Sequence, residues 1–221
     1  MGAPKGPTSE RALSSAVVTA ITLIVVAVVF AGATYLGMEL SAAAGSRLYA
    51  GRETSPFPRA ARITLMVAAA LMGTIAAAGK ADWQALTLAA IVCVSLSASW
   101  HSSAVYHKIP DFFTLVPLGA VMIAAAVQME WFLILGAIVP FVPFAAMAYL
   151  TKGRGFDWDD AKIAALGGAL LGIETSIFVL AGACIVAVAI AVGRKRTREP
   201  IVIAPYMIGA IGAALALRLM P

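Results

Sequence analysis

The residues best suited to do chemistry in this chain form one short acidic cluster. Asp157, Asp159 and Asp160 are followed at once by Lys162 and by an apolar run rich in alanine and glycine. Neighbouring carboxylates raise one another's pKa values, so one of them can keep a proton near neutral pH and share it with the other. The alternative is structural, because acids also cap the N-terminus of a helix, here one that would start near residue 161.

A second candidate segment, 101–112, is predicted to be a loop. It contains Asp111, which follows a proline as many turn residues do, and His101 and His107, which we expect to be loop residues at the membrane interface. A nucleophilic pair of Ser103 with a histidine would need a further group to orient the imidazole. The sequence nearby supplies no such group.

The cysteines predict neither a metal site nor a disulfide. Cys93 and Cys184 each stand alone in an apolar run, and the chain has no Cys-x-x-Cys pair. Zinc sites and disulfide frameworks need paired cysteines or clustered ligands. We therefore predict no metal and no cofactor.

Composition indicates the elements that must position these residues. Of the 221 residues 62% are hydrophobic and only 12% are charged, which excludes an ordinary soluble globular protein. The net charge of +5 is small, and in a membrane protein it more often sets orientation than binds nucleic acid. The prediction is an all-α polytopic protein of the lipid bilayer with no nucleic-acid partner.

Apolar runs near 20 residues long predict about eight transmembrane helices. The first run exceeds the length of a signal-peptide core, so we expect it to be a retained span. Residues 162–193 would form a helix of about 48 Å, too long for one crossing, and the polar segment 172–176 predicts a turn inside it. The predicted spans are 14–37, 63–79, 83–100, 113–128, 131–150, two within 162–193, and 201–217.

Loop charges give the predicted orientation. Loops 39–62, 101–112, 151–162 and 194–199 hold nearly all the lysines and arginines, and the loops between them are short and nearly free of positive charge. This alternation is typical of eight spans with both termini outside. It predicts that the acidic cluster faces the cytoplasm.

Three segments in order carry a resemblance to a known family. They are His-Lys-Ile-Pro-Asp at 107–111, Asp-Ala-Lys at 160–162 entering a Leu-Gly-rich helix, and Glu-Pro-Ile-Val-Ile-Ala-Pro-Tyr at 199–206 opening the last span. In order, spacing and expected sidedness, over about 83–217, the chain resembles the prepilin leader peptidases. These are the membrane aspartic endopeptidases of type IV pilus and related secretion systems.

The resemblance implies two catalytic aspartates that share a proton, one activating water and the other polarising the scissile carbonyl. The second family aspartate corresponds to Asp160. The first family position, seven residues before Pro110, carries Ser103, and Asp157-Trp158-Asp159 replaces the family's Gly-x-Gly. Asp111 is the other acid offered by the same loop, and Asp157 or Asp159 is a further candidate to pair with Asp160. The predicted catalytic residues are thus Asp160 and Asp111.

The implied function is cleavage of the basic leader of a pilin-like precursor at the cytoplasmic face of the inner (plasma) membrane. Loop 39–62 is short and without cysteine, which resembles the family members that lack the methylation insert. The predicted organisation is an N-terminal part, 1–62, with the tail, first span and basic loop, and a peptidase-like domain, 63–221.

Two other function classes stay open. A catalytically inactive relative would bind pilin-like helices or assist assembly of a pilus or secretion-like complex, which the serine at position 103 favours. A small transporter or channel would use Glu174 or Asp160 as a coupling site, but it would need acids within the spans, and these are almost free of them. The sequence does not indicate an oligomeric state.

Overall fold

The computed structural model describes residues 9–51, 54, 56–79, 83–152, 156–193 and 202–218, with side chains from residue 16 onward. Within these residues the protein is entirely helical and contains eight helices. They are α1 (Ser9–Leu48), α2 (Arg59–Ala78), α3 (Trp83–Tyr106), α4 (Asp111–Val127), α5 (Trp131–Thr151), α6 (Trp158–Leu171), α7 (Ile173–Gly193) and α8 (Ala204–Arg218).

Five helices are long and apolar enough to cross a membrane, namely α1, α2, α3, α5 and α7. Two others, α4 and α8, are apolar but shorter. Since a spanning helix needs about 20 apolar residues, these lengths agree with the predicted class, an all-α membrane protein.

The predicted turn inside 162–193 is present and consists of a single residue. Gly172 lies between α6 and α7 with φ 78°, a left-handed conformation that glycine adopts without the strain that a Cβ would cause. The length argument therefore located this break correctly, because a helix through the whole segment would exceed the thickness of a bilayer.

Two helices extend beyond their predicted ends. Helix α1 continues through the expected loop to Leu48, since residues 42–44 are alanines, which favour helix. Helix α3 continues to Tyr106, so His101 and Ser103 are helical and the prediction of a loop starting at 101 was wrong. The polar face of α3 is buried by neighbouring helices, and hydropathy alone does not reveal this.

The core has two parts that share α3. One cluster joins α1, α2 and the start of α3 through Val26, Phe30, Ala69, Ala76 and Leu86. The larger cluster joins the second half of α3 to α4, α6, α7 and α8. Its most buried large side chains are Ile163, Leu166, Leu180, Met207 and Ile211.

Helix α6 is held at the centre of the larger cluster by close contact with α5. A Cβ on Gly136 would lie 2.7 Å from the carbonyl oxygen of Gly168, and a Cβ on Gly168 would overlap the carbonyl oxygen of Gly136. Small residues let helix backbones approach in this way where no water drives association. The contact between the two glycines thus fixes the position of α6 along the axis of α5.

Three of the sequence predictions concern residues outside the described part of the chain. The basic loop 194–199, the loop charges Lys80 and Asp82, and the first part of the Glu199–Tyr206 segment lie there. The proposed division at residue 62 stays a prediction.

Candidate functional site

The acidic cluster begins as the N-terminal cap of α6. Oδ1 of Asp157 accepts from the N–H of Trp158 (2.7 Å). The side chain of Asp157 also accepts from the N–H of Asp160, and the N–H of Asp157 donates to Oδ2 of Asp160 (2.9 Å). This reciprocal arrangement is a capping box, which satisfies N–H groups that a helix leaves unpaired at its start. Asp157 therefore has the geometry of a helix cap, the structural alternative to a catalytic role.

The turn between α3 and α4 is fastened to this cap. His107 adopts φ 54° and ends α3, and Ser102 Oγ donates to the carbonyl oxygen of Lys108 at 2.7 Å. The N–H of Ile109 then donates to Oδ2 of Asp159 at 2.9 Å, while Lys108 pairs with Asp157. Two carboxylates of α6 thus hold a turn that lies far away in sequence.

Lys162 connects the cluster to α4. Its ammonium group pairs with Asp111 in the first turn of α4 and, at 3.0 Å, with Oδ1 of Asp159. Asp111 is largely exposed, with 66% of its side chain accessible, whereas Asp159 retains 13%. The first turns of α4 and α6 are therefore linked by one shared cation.

Asp160 is the buried member of the cluster, with 5% of its surface exposed. Burial raises the pKa of Asp160 to about 6, and the charges of Asp157 and Asp159 act in the same direction. Backbone hydrogen bonds from the N–H groups of Asp157 and Ala204 oppose the rise. Since Ala204 is the first residue of α8, Asp160 joins the starts of two helices.

Asp157 shifts the opposite way. Burial alone would raise the pKa of Asp157, but hydrogen bonds from Lys108 and the Trp158 N–H lower it below its usual value. A cluster in which one acid is stabilised as a carboxylate and its neighbour retains its proton longer is a common source of acid–base chemistry. The same pattern also arises in purely structural ion-pair networks.

The two predicted catalytic residues have different partners. Asp111 pairs with Lys162, and Asp160 accepts from the backbone N–H groups of Asp157 and Ala204. Within the described residues no hydrogen bond joins the carboxyl groups of Asp111 and Asp160. Lys162 joins Asp111 to Asp159, whereas Asp160 belongs to the capping box with Asp157, and the catalytic role of both residues stays a prediction.

Ser103 lies on α3 and is 2% exposed. It lines an apolar groove of about 780 Å³ together with His107 from the following turn and Pro205 and Tyr206 from the start of α8. The polar end of this groove is therefore near the N-terminus of α8, the same helix start that Asp160 holds.

The α8 groove, as we call this cavity, has small residues on its floor and larger ones on its sides. Helix α8 packs against both α3 and α7, and its lining residues from Pro205 to Leu217 extend over about 18 Å. Trp100 stands on the α3 side and Phe178 on the α7 side. The floor is formed by Gly209, Ala210, Ala213 and Ala214.

His101 corrects the expectation of an interfacial loop histidine. It is 2% exposed, its Nδ1 lies 3.0 Å from Oγ of Ser41 on α1, and its ring meets the edge of Phe57. Glu39 and Arg62 pair nearby at 3.4 Å. This polar group fastens α1 to α3 and was missed because the contacts are distant in sequence.

Within the described residues, no three histidine, cysteine, aspartate or glutamate side chains lie close enough to share a metal ion. Cys93 is a hydrogen-bond partner of Thr34 at 3.2 Å, and Cys184 lies on α7. Both thiols are free.

Compared with models of protein families, with curated proteins and with solved structures, the chain matches none of them. The site is therefore interpreted from its own geometry.

Proposed function

We propose that this protein is an eight-span membrane protein built on the plan of the prepilin leader peptidases, with both termini outside and the acidic cluster at the cytoplasmic face of the inner (plasma) membrane. The alternation of charged and uncharged loops supports this orientation. In this proposal α4, α6 and α8 cross the membrane beside the five helices that are long enough to span it; α4 and α8 are apolar but shorter, and α6 has 14 residues.

The function that we infer is binding of the hydrophobic helix of a pilin-like precursor without cleavage, as an assembly factor of a pilus or secretion-like complex. The observation that carries this proposal is the α8 groove. Its small floor residues admit one face of a helix, as small residues do at helix contacts in membranes. Its polar end is at Ser103 and His107, where the charged flank of such a precursor would meet the membrane surface.

The hydrogen-bond partners of the acids favour binding over cleavage. A proton-sharing dyad needs two carboxyl groups in contact. Asp160 instead accepts from two backbone N–H groups, and Asp111 is paired with Lys162. Position 103, where the resemblance would place the first catalytic aspartate, carries a serine, which has no carboxylate to share a proton.

Leader peptidase activity is the second candidate, and one observation favours it. Asp160 is buried in the first turn of α6, and its pKa is raised to about 6. A raised pKa is expected of the aspartate that keeps its proton in an aspartic dyad. Asp111 is the acid that would have to leave Lys162 to join it.

A processing assay separates the two candidates. The full-length protein is reconstituted with a synthetic precursor that has a basic leader and a hydrophobic helix, and leader release is followed by mass spectrometry. We expect no release by the wild type or by Asp160→Asn. Release by the wild type that Asp160→Asn abolishes would establish the peptidase. In Ser103→Asp, gain of release would indicate an intact scaffold that lacks only this acid.

Binding is tested by photo-crosslinking from the groove. A photoreactive residue at Ala210, which lines the α8 groove, is expected to capture the precursor helix, and one at Val116, an exposed residue of α4, serves as the control. Equal capture at both positions would contradict the assignment of the α8 groove.

A further inference from the structure

A second apolar cavity, of about 470 Å³, lies between α2 and another face of α8. We call it the α2 slot. Helix α2 packs along α1 and has few contacts with α3 and α8, so a gap remains between them. Representative lining residues are Ala68 and Met72 of α2, Leu88 and Val92 of α3, and Gly212 and Leu215 of α8.

The walls of the slot present almost no free polar groups. The hydroxyl of Thr34 donates to Phe30 and that of Thr64 to Ala60, each within its own helix, and Ser97 bonds back to Cys93 in the same way. Because these hydroxyl groups already donate hydrogen bonds, an apolar occupant would leave none of these donors unpaired. The slot therefore suits hydrocarbon.

The slot is small and elongated. Its volume of about 470 Å³ is well below the 780 Å³ of the α8 groove. Along α3 the slot extends from Ala85 to Trp100, about 22 Å, which is more than one leaflet of a hydrocarbon core about 30 Å thick. A single acyl chain fits both limits.

Among the residues that the structure describes, one charged side chain lines the slot, and it stands at one end. Arg218, in the last turn of α8, donates from Nη1 to the carbonyl oxygen of Leu170 at 2.9 Å. That bond uses one of the five N–H donors of the guanidinium group. Guanidinium groups at a membrane surface pair with phosphate.

We propose that the α2 slot binds one acyl chain of an anionic phospholipid whose headgroup pairs with Arg218. The chain would fill the gap between α2 and α8, and the headgroup would lie at the end of α8 opposite the acidic cluster. The proposal does not depend on the function proposed for the α8 groove: the two cavities share Trp100, Gly209 and Ala213, but Arg218 and the residues of α2 line only the slot.

The test is native mass spectrometry of the full-length protein in detergent, titrated with phosphatidylglycerol and, separately, with phosphatidylcholine. We expect one tightly bound phosphatidylglycerol in the wild type and weaker binding of phosphatidylcholine. Arg218→Gln should weaken phosphatidylglycerol binding about five-fold, the factor for about 1 kcal/mol per basic residue near the surface. It should leave phosphatidylcholine binding nearly unchanged.

A cavity-filling variant tests the slot itself. A Cβ on Gly212 meets no atom within 4 Å, so Gly212→Leu has room to fill the slot and should reduce lipid binding at least ten-fold. Gly119→Leu on α4 is the matched control, because Gly119 also faces open space and does not line the slot.

If Gly212→Leu does not elute as a folded protein in gel filtration, Ala68→Leu fills the same slot from the α2 side. Lipid binding at the wild-type level in the folded slot-filling variant would overturn the proposal. Equal affinity for the two lipids in the wild type would overturn the role of Arg218.

Discussion

Asp160 has two backbone partners, at the starts of α6 and α8, and its pKa is higher than is usual for an aspartate. Its carboxylate accepts from the first N–H groups of α6 and α8, so it stabilises both helix starts. Its burial disfavours the charge that makes it a good acceptor. The hydrogen bonds of Asp160 therefore stabilise the folded protein, whereas burial of its charge destabilises it.

The pH dependence of stability should reveal this conflict. Because the pKa of Asp160 is raised to about 6 in the folded protein, the folded state binds more protons than the unfolded chain between about pH 4 and 6. The contribution of Asp160 to stability therefore falls as pH rises through this window, by at most about 3 kcal/mol, and is constant above it. We expect Asp160→Asn to remove this slope in thermal unfolding measured in detergent.

The comparison variant is Asp160→Ala, which removes the acceptor as well as the charge. It should lose about 2 kcal/mol at pH 7, because the N–H groups of Asp157 and Ala204 lose their acceptor. An Asp160→Asn variant that keeps the wild-type slope would show that another group titrates.

Asp159 and Asp111 form a matched pair, since both contact Lys162. Asp159 is the more buried and also accepts from the N–H of Ile109, so Asp159→Ala should cost about 1–3 kcal/mol. Asp111→Ala should cost less than about 1 kcal/mol, because an exposed ion pair contributes little. Chemical unfolding of the two variants checks the order, and a larger loss for Asp111→Ala would contradict the network.

At this scale the sequence predicted the cluster and missed its connections. Neighbouring acids before an apolar helix were enough to predict a cap and a shifted pKa, and both are present at Asp157 and Asp160. The bond from Ile109 to Asp159 and that from Ala204 to Asp160 join segments far apart in the chain. Spacing along one sequence carries no information about such contacts.

At the scale of helices, close approach of backbones decides which substitutions are tolerated. Helices α5 and α6 touch through Gly136 and Gly168, where a Cβ has no space. Gly119 on α4 faces no atom within 4 Å. The two sites differ in packing while both are helical.

We therefore expect opposite outcomes for two glycine-to-alanine variants. Gly168→Ala forces α5 and α6 apart and should lose about 1–3 kcal/mol, as overpacked cores do. Gly119→Ala should be neutral or slightly stabilising, since alanine favours helix by up to about 1 kcal/mol. Melting temperatures in detergent measure both, and equal shifts would contradict the close contact.

Helix positions followed from hydropathy, and helix ends did not. The break at Gly172 was predicted because bilayer thickness limits helix length. The last turns of α3 were missed because serines and a histidine there suggested a loop. They are helical since His101 bonds to Ser41 and Ser102 to the turn at Lys108. Tertiary contacts thus stabilise a helix that its own composition disfavours.

For the whole molecule, the proposed eight-span topology makes a prediction about accessibility. In a background with Cys93→Ser and Cys184→Ser, single cysteines replacing exposed Ser46, Gln128 or Thr175 are labelled with a membrane-impermeant maleimide in intact cells. Gln128→Cys and Thr175→Cys should react from outside, because Gln128 caps the end of α4 and Thr175 lies in the first turn of α7, at connections that alternate with the basic loops. Ser46→Cys should react only after permeabilisation, and its labelling in intact cells would contradict the orientation.

Composition predicted a membrane protein, because few residues are charged and most are apolar. The sequence did not predict the α8 groove or the α2 slot. Each is a space between helices whose packing the sequence does not reveal, and the glycines and alanines that line them have the same sequence pattern as those in tight contacts.

The bond between Asp160 and Ala204 also sets an order of assembly. During synthesis α6 and α7 enter the membrane before α8 has been made, so at that stage Asp160 lacks one of its two backbone donors. The core positions of Met207 and Ile211, both fully buried in the finished bundle, are then empty as well. Docking of α8 thus supplies the second backbone donor of Asp160 and fills these core positions.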